Sequence, residues 1–236
     1  MKFFKLIAIY FFDLIDSLIH QKKIINFLKN HNIKPEVYFD VGSHKGLYTD
    51  LIIKNFNIKK ILMFEPQNEI FRYIKNKYKN NRKILVFNKA VSNIKKIQNF
   101  KLNHHDLTAS LSTLDDKNLY LKYKAKLFGM TPKSMIYETI KIKTLKLSDI
   151  IKEKKITKID LLKIDTEGHE LQVLEGIESK IKNVKYILIE FHNDKIFLEY
   201  NPKKIHNYLI KNNFVLKASF KFPFTTWEDR FYKNKL

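Results

Sequence analysis

Hydrophobic positions along the chain follow two alternating spacings, which together predict an α/β fold. Short continuous apolar runs, the pattern of buried strands, end in polar or glycine residues. These predicted strands cover Val37–Val41, Lys60–Phe64, Ile84–Asn88, Ile159–Ile164, Tyr186–Phe191, Phe214–Phe220 and Trp227–Tyr232. Stretches with helical spacing, which lie between the strands, cover Leu47–Phe56, Gln67–Tyr78, His169–Glu175 and Pro202–Asn212. Because short strands alternate with helices, we predict a mostly parallel sheet with helices on both faces.

The stretch from Ser92 to Leu147 departs from this alternation. Ile94–Leu102 and Tyr137–Leu147 have a period of two, which predicts two antiparallel strands in an insertion. Between these strands we expect a polar loop over residues 104–116. The segment over residues 118–134 contains both glycine and proline, so we expect it to be partly loop.

Residues 1–34 are predicted to form a helical extension that precedes one α/β domain over residues 35–236. Apolar residues recur at helical spacing in this extension, at Phe4, Ile7, Ala8, Phe11, Leu14, Ile15, Leu18 and Ile19. Asp13 and Asp16 interrupt the apolar run, so it predicts neither a signal peptide nor a membrane-spanning helix. We expect this stripe to pack on the domain or on a second copy in a homodimer. The alternative is a basic amphipathic helix that lies on an anionic membrane surface.

The composition limits the chemistry that the chain can use. Its 236 residues contain no cysteine, which excludes disulfides, zinc–thiolate sites and a cysteine nucleophile. The formal net charge of +21 attracts polyanions such as nucleic acid, anionic lipid and acidic polysaccharide. The lysines are spread over the whole chain and no dense arginine run occurs. We therefore attribute most of the charge to compositional bias and solubility.

The chain has only five glycines, so their positions are informative. Gly42 and Gly46 directly follow the first predicted strand, at the first crossover of a doubly wound sheet, where ligands bind. Gly42 permits a tight turn and close approach of a ligand, and Gly46 opens a helix whose N-terminus favours an anionic group. Asp40, at the strand end, is a candidate acceptor for a ligand ammonium group. Later in the chain, Gly176 is expected to cap the helix that ends at Glu175.

A carboxylate ends the second predicted strand, in Phe64-Glu65-Pro66. It follows the glycine turn by about twenty residues, the position from which an acidic side chain binds the two hydroxyls of a ribose. A dinucleotide-binding turn also needs a middle glycine that admits a pyrophosphate. That position is occupied by His44. The sequence therefore predicts a ribose-bearing ligand without a pyrophosphate.

Further ionisable side chains follow two later strands of the predicted sheet. Asp165 and Glu167 come directly after Ile159–Ile164, and His192 follows the next strand. We expect Asp165 or Glu167 to contact a ligand amine or an acceptor hydroxyl. His169 or His192 is the candidate general base near neutral pH. A divalent ion shared by Asp165, Glu167 and a histidine is compatible with these ligand types, but the sequence does not require a metal.

Several segments together give the sequence a resemblance to the FkbM-type methyltransferase family. They are Asp40–Gly46 (DVGSHKG), Phe64-Glu65-Pro66, Asn88–Ser92, Ala109–Ser112, Thr144–Ile150 and the long motif IDLLKIDTEGHELQVLEG over residues 159–176. The resemblance covers about residues 37–195, and the last motif is its most specific part. It implies a Rossmann-like sheet and S-adenosyl-L-methionine as the cofactor.

The resemblance also implies roles for individual residues. Gly42 and its neighbours Ser43 and Gly46 are expected to hold the methionine part of the cofactor. Glu65 is expected to hold the ribose, and the region of Ala90 to line the adenine. Asp165 is expected to face the site of methyl transfer. The family commonly has Ala-Asn where this chain has Ser43-His44, so the contact made by His44 is left open.

The implied reaction is methyl transfer to a hydroxyl of a sugar, a glycan or another metabolite. An alcohol acceptor needs a nearby base, for which Asp165, Glu167 and His192 are the candidates. Methylation of an RNA ribose and a non-catalytic binding or scaffold role are the alternatives. Methylation of an exocyclic amine is disfavoured. Enzymes that methylate such amines resemble one another in an Asp/Asn-Pro-Pro-aromatic run, and this chain has Asp165–Gly168 (DTEG) at that position. We expect a cytoplasmic protein, peripheral at the membrane if the N-terminal helix binds lipid.

Overall fold

The computed structural model describes residues 20–103, 109–127, 129–222 and 225–236. Seven α-helices are present in these ranges: α1 (Gln21–Asn30), α2 (Leu47–Asn55), α3 (Asn68–Lys77), α4 (Leu119–Leu127), α5 (Leu147–Glu153), α6 (Glu170–Glu175) and α7 (Pro202–Lys211). The same ranges contain ten strands: β1 (Val37–Val41), β2 (Lys60–Phe64), β3 (Ile84–Phe87), β4 (Ala90–Val91), β5 (Ile97–Asn103), β6 (Ile136–Leu145), β7 (Ile159–Ile164), β8 (Val184–His192), β9 (Phe214–Lys221) and β10 (Trp227–Asn234).

Seven of the strands form one sheet in the order β3-β2-β1-β7-β8-β10-β9. The pairs from β3 to β8 are parallel, whereas β10 pairs antiparallel with both β8 and β9. The chain builds outward from β1 to β3 and then returns to the other side of β1 with β7. The order of strands therefore reverses between β1 and β7, and such a switch point is where open α/β sheets bind their ligands. The predicted Rossmann-like, mostly parallel sheet is confirmed.

Apolar side chains cover both faces of the sheet. On one face, α5, α6 and α7 contribute Leu147, Ile151, Val173, Leu174, Ile205 and Leu209 to a core with the strands. On the other face, α1, α2 and α3 contribute Ile24, Leu28, Tyr48, Ile52 and Ile74. β7 is buried along its whole length, which explains its nearly continuous apolar sequence, since central parallel strands are covered on both faces.

The insertion forms a small second sheet in the order β4-β6-β5. β5 and β6 pair antiparallel, as their period of two predicts, while the two-residue strand β4 pairs parallel with β6. α4 lies in the segment that we predicted to be partly loop, and its Leu121 and Ala125 pack against Phe197. The weak amphipathic pattern of Leu119–Leu127 explains why the sequence did not reveal this helix.

α1 packs into the core of the domain through Ile24, Ile25 and Leu28. The apolar stripe predicted over residues 4–19 lies outside the described residues, so its packing on a membrane or a second copy stays a prediction. Among the residues that the structure describes, no helix is long and apolar enough to cross a membrane.

Gly176 ends α6 for a different reason from the one we predicted. Its φ of −69° is right-handed, so it does not form the left-handed cap that glycine usually provides. A Cβ at this position would overlap the carbonyl oxygen of Ser92. Glycine is therefore required by close packing between the helix end and the chain after β4.

Candidate functional site

The glycine turn after β1 lies at the switch point of the sheet. Gly42 has a φ of +81°, and its amide donates a hydrogen bond to the carbonyl oxygen of Phe64 at 3.1 Å. A Cβ on Gly42 would overlap the carbonyl oxygen of Asp165. Gly42 is therefore fixed by two requirements, a left-handed backbone and direct contact with the loop that follows β7.

Side-chain hydrogen bonds of Asp40 and Ser43 stabilise this turn. The Ser43 hydroxyl donates to the carbonyl oxygen of Asp40 at 2.9 Å. The Asp40 carboxylate is fully buried and accepts a hydrogen bond from the Thr49 hydroxyl at 2.6 Å. Burial raises the pKa of Asp40, although Lys163 nearby favours its ionised form. This placement gives Asp40 and Ser43 a supporting role for the turn, and their direct contact with a ligand stays a prediction.

Gly46 begins α2 with a φ of +73°. The hydroxyl of Tyr78 lies 2.8 Å from the Gly46 carbonyl oxygen and 2.7 Å from Asp50 Oδ1. A Cβ on Gly46 would lie 2.6 Å from this same hydroxyl. The start of the helix is thus packed tightly against the end of α3, which fixes the direction in which its backbone amides point.

Glu65 is buried at the end of β2, with 3% of its surface exposed. Its Oε2 accepts a hydrogen bond from the His44 amide at 3.0 Å, and its Oε1 accepts one from the Gln67 amide at 2.8 Å. Burial raises the pKa of Glu65 to about 7, although these hydrogen bonds favour the ionised form. Glu65 therefore joins the glycine turn to the end of β2, and the contact that His44 makes through its backbone is now defined.

The chain just before Ala90 is joined to the Glu65 segment by hydrogen bonds of Asn88. The Asn88 side-chain amide donates to the carbonyl oxygens of Glu65 and Pro66, at 3.1 and 3.0 Å. Ala90 is buried and packs with Phe100 in the small core of the insertion. Asn88 thus connects the Glu65 segment with β4, while the expected contact of Ala90 with an adenine stays a prediction.

A buried lysine controls the charge of Asp165. Lys163 Nζ lies 2.8 Å from Asp165 Oδ2, and it also lies over the Tyr48 ring. Burial opposes ionisation of Asp165, but the Lys163 ammonium, together with Glu190 and His192, holds the pKa of Asp165 below its usual value. The Lys163 side chain is buried, whereas 36% of the Asp165 side chain is exposed. Asp165 is thus an ionised carboxylate that a ligand can reach.

The loop after β7 is held in a strained conformation by a second carboxylate. Glu170 Oε1 accepts hydrogen bonds from the backbone amides of Thr166 and Gly168, at 3.0 and 3.1 Å. Glu167 has a φ of +54°, and its carbonyl oxygen accepts a hydrogen bond from the Ser110 hydroxyl at 2.6 Å. Glu170 therefore stabilises the loop through hydrogen bonds to its backbone, and Ser110 of the insertion fixes the backbone of Glu167.

His192 lies at the end of β8 beside two glutamates. Its Nε2 is 3.0 Å from Glu190 Oε2 and 3.9 Å from Glu167 Oε2. The rings of Phe197 and Tyr200 pack edge-on with the imidazole, with centroids 5.1 and 5.5 Å away. The structure therefore brings Glu167 and His192 together, as expected of residues at the ends of adjacent strands.

His169, the other candidate base, lies in different surroundings. Its Nε2 is 3.0 Å from the Ser92 hydroxyl, and the side chain is buried. Burial lowers the pKa of His169 to about 4, so the imidazole is neutral at physiological pH. His169 therefore belongs to the packing between α6 and the end of β4.

Two site residues were not identified from the sequence, Lys163 and Glu190. Both are charged residues inside otherwise apolar strands, in LLKI and LIEF. A charge at a buried strand position is expensive unless it is paired, which is the signal that marks such residues as functional candidates. In the register of the sheet, Lys163 of β7 lies opposite Asp40 of β1, and Glu190 of β8 lies opposite Asp229 of β10.

Comparison with known proteins identifies the family. The model of the methyltransferase FkbM domain matches residues 40–216 of the 236. The chain belongs to the FkbM methyltransferase family. The match includes the glycine turn, Glu65 and the loop after β7, and it confirms the resemblance noted in the sequence.

Two curated proteins are similar to parts of the chain. The hexuronic acid methyltransferase AglP of Haloferax volcanii is 33% identical over 51 residues, which are 22% of this chain and 21% of AglP. The methyltransferase sdnD of Sordaria araneosa is 27% identical over 168 residues, 60% of each protein. The matched regions thus span less than two thirds of either relative.

Solved structures share the fold at low sequence identity. The FkbM methyltransferase of Methylobacillus flagellatus KT has a TM-score of 0.55 and 15% identity, over 84% of this chain and 43% of that one. TrmK of M. capricolum, in complex with S-adenosyl-homocysteine, has a TM-score of 0.51 and 8% identity, over 92% of this chain and 68% of that one. These structures show the shared fold, and membership of the FkbM methyltransferase family confirms S-adenosyl-L-methionine as the cofactor.

The residues around the glycine turn fit this cofactor. Each carboxylate oxygen of Glu65 accepts one backbone amide, which leaves acceptor capacity on both oxygens for the two ribose hydroxyls. Gly42 and Gly46 are both left-handed, so the two ends of the turn carry no side chain. The binding roles of the individual residues stay predictions.

Proposed function

We propose that this FkbM-family chain transfers a methyl group from S-adenosyl-L-methionine to a hydroxyl of a sugar, a glycan or a glycoconjugate. The observation that carries the proposal is the position of Asp165. Its backbone contacts Gly42 of the predicted cofactor turn, and its ionised carboxylate is partly exposed. A carboxylate beside the cofactor turn is where an alcohol acceptor needs its proton removed.

The protein's part in this reaction is alignment and proton removal. The bound cofactor supplies a methyl group that is already activated. Gly42, Ser43 and Gly46 would hold its methionine part, and Glu65 its ribose. Asp165 would orient the acceptor hydroxyl and accept its proton, with Glu167 and His192 as alternative bases at the same edge. Lys163 would keep Asp165 in its ionised form, which can accept a hydrogen bond from the acceptor hydroxyl.

A sugar acceptor is supported by two further observations. AglP, which the chain resembles over a short segment, is a hexuronic acid methyltransferase. In addition, Trp227 pairs in register with His192 and is only half-buried, so an aromatic face lies next to the predicted bases. Aromatic side chains commonly pack against apolar faces of ligands. Phe222 is buried beneath Trp227, with ring centroids 4.3 Å apart, and so supports it.

The net charge of +21 favours RNA as the second candidate acceptor. A cytoplasmic location, a homodimer and contact with an anionic membrane surface through the N-terminal segment stay predictions.

Transfer of a labelled methyl group tests the proposal. The chain is incubated with S-adenosyl-L-methionine that carries a labelled methyl group and with fractionated extract, and label is counted separately in carbohydrate, lipid-linked glycan and RNA. We expect label in a carbohydrate-containing fraction, and an Asp165→Asn variant that lowers turnover at least tenfold while still binding the cofactor. Glu178→Gln, at an exposed ion pair with Lys146, is the control.

Two results would contradict the proposed acceptor. Label that enters only RNA would favour ribose methylation, with binding that weakens steeply as salt is raised. Cofactor binding without transfer into any fraction would favour a non-catalytic role for the fold.

A further inference from the structure

Three ligand-type atoms converge at the carboxyl ends of β7 and β8. They are Glu167 Oε2, Glu190 Oε2 and His192 Nε2. The three side chains offer ligand atoms that all lie within 4.8 Å of one another. We propose that Glu167, Glu190 and His192 form a binding site for a divalent cation, of which Mn²⁺ or Mg²⁺ best matches two carboxylates and one imidazole.

The contact between Glu190 and His192 supports a metal better than it supports a hydrogen bond. Glu190 Oε2 and His192 Nε2 are 3.0 Å apart, yet within the described part of the chain neither atom makes a hydrogen bond. Two ligand atoms at right angles around an ion, each with a bond of about 2.1 Å, lie about 3.0 Å apart. The two atoms are therefore spaced as neighbouring ligands of one ion would be.

Glu167 supplies the third ligand atom. Its Oε2 lies 3.9 Å from His192 Nε2, which is within the separation of about 4.2 Å that two opposite ligands of one ion reach with bonds of about 2.1 Å. The backbone of Glu167 is fixed by the Ser110 hydroxyl and by its left-handed conformation. A ligand held in this way is preorganised, since little motion is needed for it to reach the ion.

The charge around Glu190 points to a cation as well. The carboxylates that act most strongly on Glu190 are those of Asp165, Asp229 and Glu170. The Glu190 and His192 side chains are 10% and 4% exposed, so water would screen an ionised Glu190 poorly. Buried charges are normally paired or bound to metal ions. Lys163 pairs with Asp165, and His20 Nε2 lies 2.8 Å from Asp229 Oδ2, so a divalent ion would supply the positive charge beside Glu190.

A metal at this position would also serve the proposed methyl transfer. The three protein ligands leave coordination positions for an acceptor hydroxyl, whose pKa falls when its oxygen binds a divalent ion. The hydroxyl proton would pass to Asp165 or to solvent, and its oxygen would then bond to the methyl carbon as the carbon–sulfur bond breaks. This consequence rests on the proposed function, whereas metal binding itself does not.

Binding of Mn²⁺ to the chelator-treated full chain tests the site without cofactor or acceptor. Free Mn²⁺ is measured by its paramagnetic resonance signal as protein is added. We expect one ion per chain, with affinity reduced at least tenfold in Glu190→Gln and in His192→Gln. Glu167→Gln should weaken binding too, and because Glu167 is partly exposed this variant keeps the test valid if a buried variant fails to fold. Glu178→Gln is the matched carboxylate control.

Failure of the site is distinguishable from failure of the proposed function. If the wild-type chain binds Mn²⁺ no better than the Glu167→Gln variant does, the metal site is wrong. Methyl transfer that persists after chelation would then indicate that His192 and Glu190 act without a metal. If the chain binds one Mn²⁺ but transfers no methyl group, the metal site is confirmed and the proposed acceptor is wrong.

Discussion

Glu65, the proposed ribose-binding residue, lowers the stability of the folded protein when it is ionised. Its carboxyl group is buried among backbone amides, and burial raises its pKa to about 7. Since an unfolded glutamate titrates near 4.5, the folded protein binds a proton more readily at this site than the unfolded chain does. The group therefore contributes stability below pH 4.5, and that contribution is lost as the pH rises to 7. We propose that an ionisable side chain is kept at this position because it accepts the two ribose hydroxyls of the cofactor.

Replacement of Glu65 by glutamine removes this titration. Relative to wild type, the free energy of unfolding of Glu65→Gln should rise by about 2 to 3 kcal/mol between pH 5 and pH 8. Urea unfolding at both pH values measures the difference, and any fixed loss of a hydrogen bond cancels in the comparison. Glu69→Gln, at an exposed position of α3, is the control. A difference between variant and wild type that does not change with pH would show that Glu65 is not held in the buried carboxyl environment.

Some site residues can be predicted from the sequence, and others are recognised only in the structure. The residue types at strand ends identify Gly42, Glu65, Asp165 and His192 as site candidates, because parallel strands deliver their carboxyl ends to one edge. Lys163 and Glu190 lie inside strands, and only the register shows which neighbours they face. The requirement for glycine at position 42 also depends on a residue far along the chain, Asp165, which a local pattern does not contain.

Elements with strong periodicity are predicted well from the sequence, and short or mixed ones are not. β1, β2 and β7 match their predicted bounds, because each is a short apolar run closed by polar or glycine residues. β4 has only two residues and is defined by its pairing with β6. α4 lies between segments of mixed composition, and its position is set by the contact of Leu121 with the chain around Phe197.

α1 is an element whose role in the domain the sequence left open. Leu28 of this helix is fully buried and packs in the same core as Tyr38 and Tyr48. We therefore propose that α1 is integral to the domain, although residues 1–34 were predicted as a separate extension.

Truncation of Leu28 tests this proposal. Leu28→Ala should lower the free energy of unfolding of the whole domain by about 2 to 5 kcal/mol, the usual cost of removing a buried leucine side chain. Lys29→Ala, at the neighbouring exposed position, should change it by less than about 0.5 kcal/mol. Chemical unfolding with a single transition gives both values. Equal stability of the two variants would mean that α1 contributes nothing to the core and is a detachable extension.

The whole molecule is strongly basic, but acidic side chains gather at one edge of its sheet. The chain has a net charge of +21, yet the switch point of the sheet collects Asp165, Glu167, Glu190 and His192. A basic exterior favours anionic partners in general, whereas the acidic edge favours a cation or a hydroxyl acceptor. The proposed methyl transfer depends on the acidic edge, and the exterior alone would favour nucleic acid or an anionic surface.

Calorimetric titration of S-adenosyl-L-methionine into the full chain and its Glu65→Ala variant tests the central claim most directly. The claim is that the glycine turn and Glu65 together form the cofactor site of this FkbM-family protein. Wild type should bind one cofactor molecule per chain, and Glu65→Ala should bind it at least tenfold more weakly, since two charge-assisted hydrogen bonds to the ribose are lost. The absence of binding to wild type, or equal affinity in the two proteins, would contradict the claim.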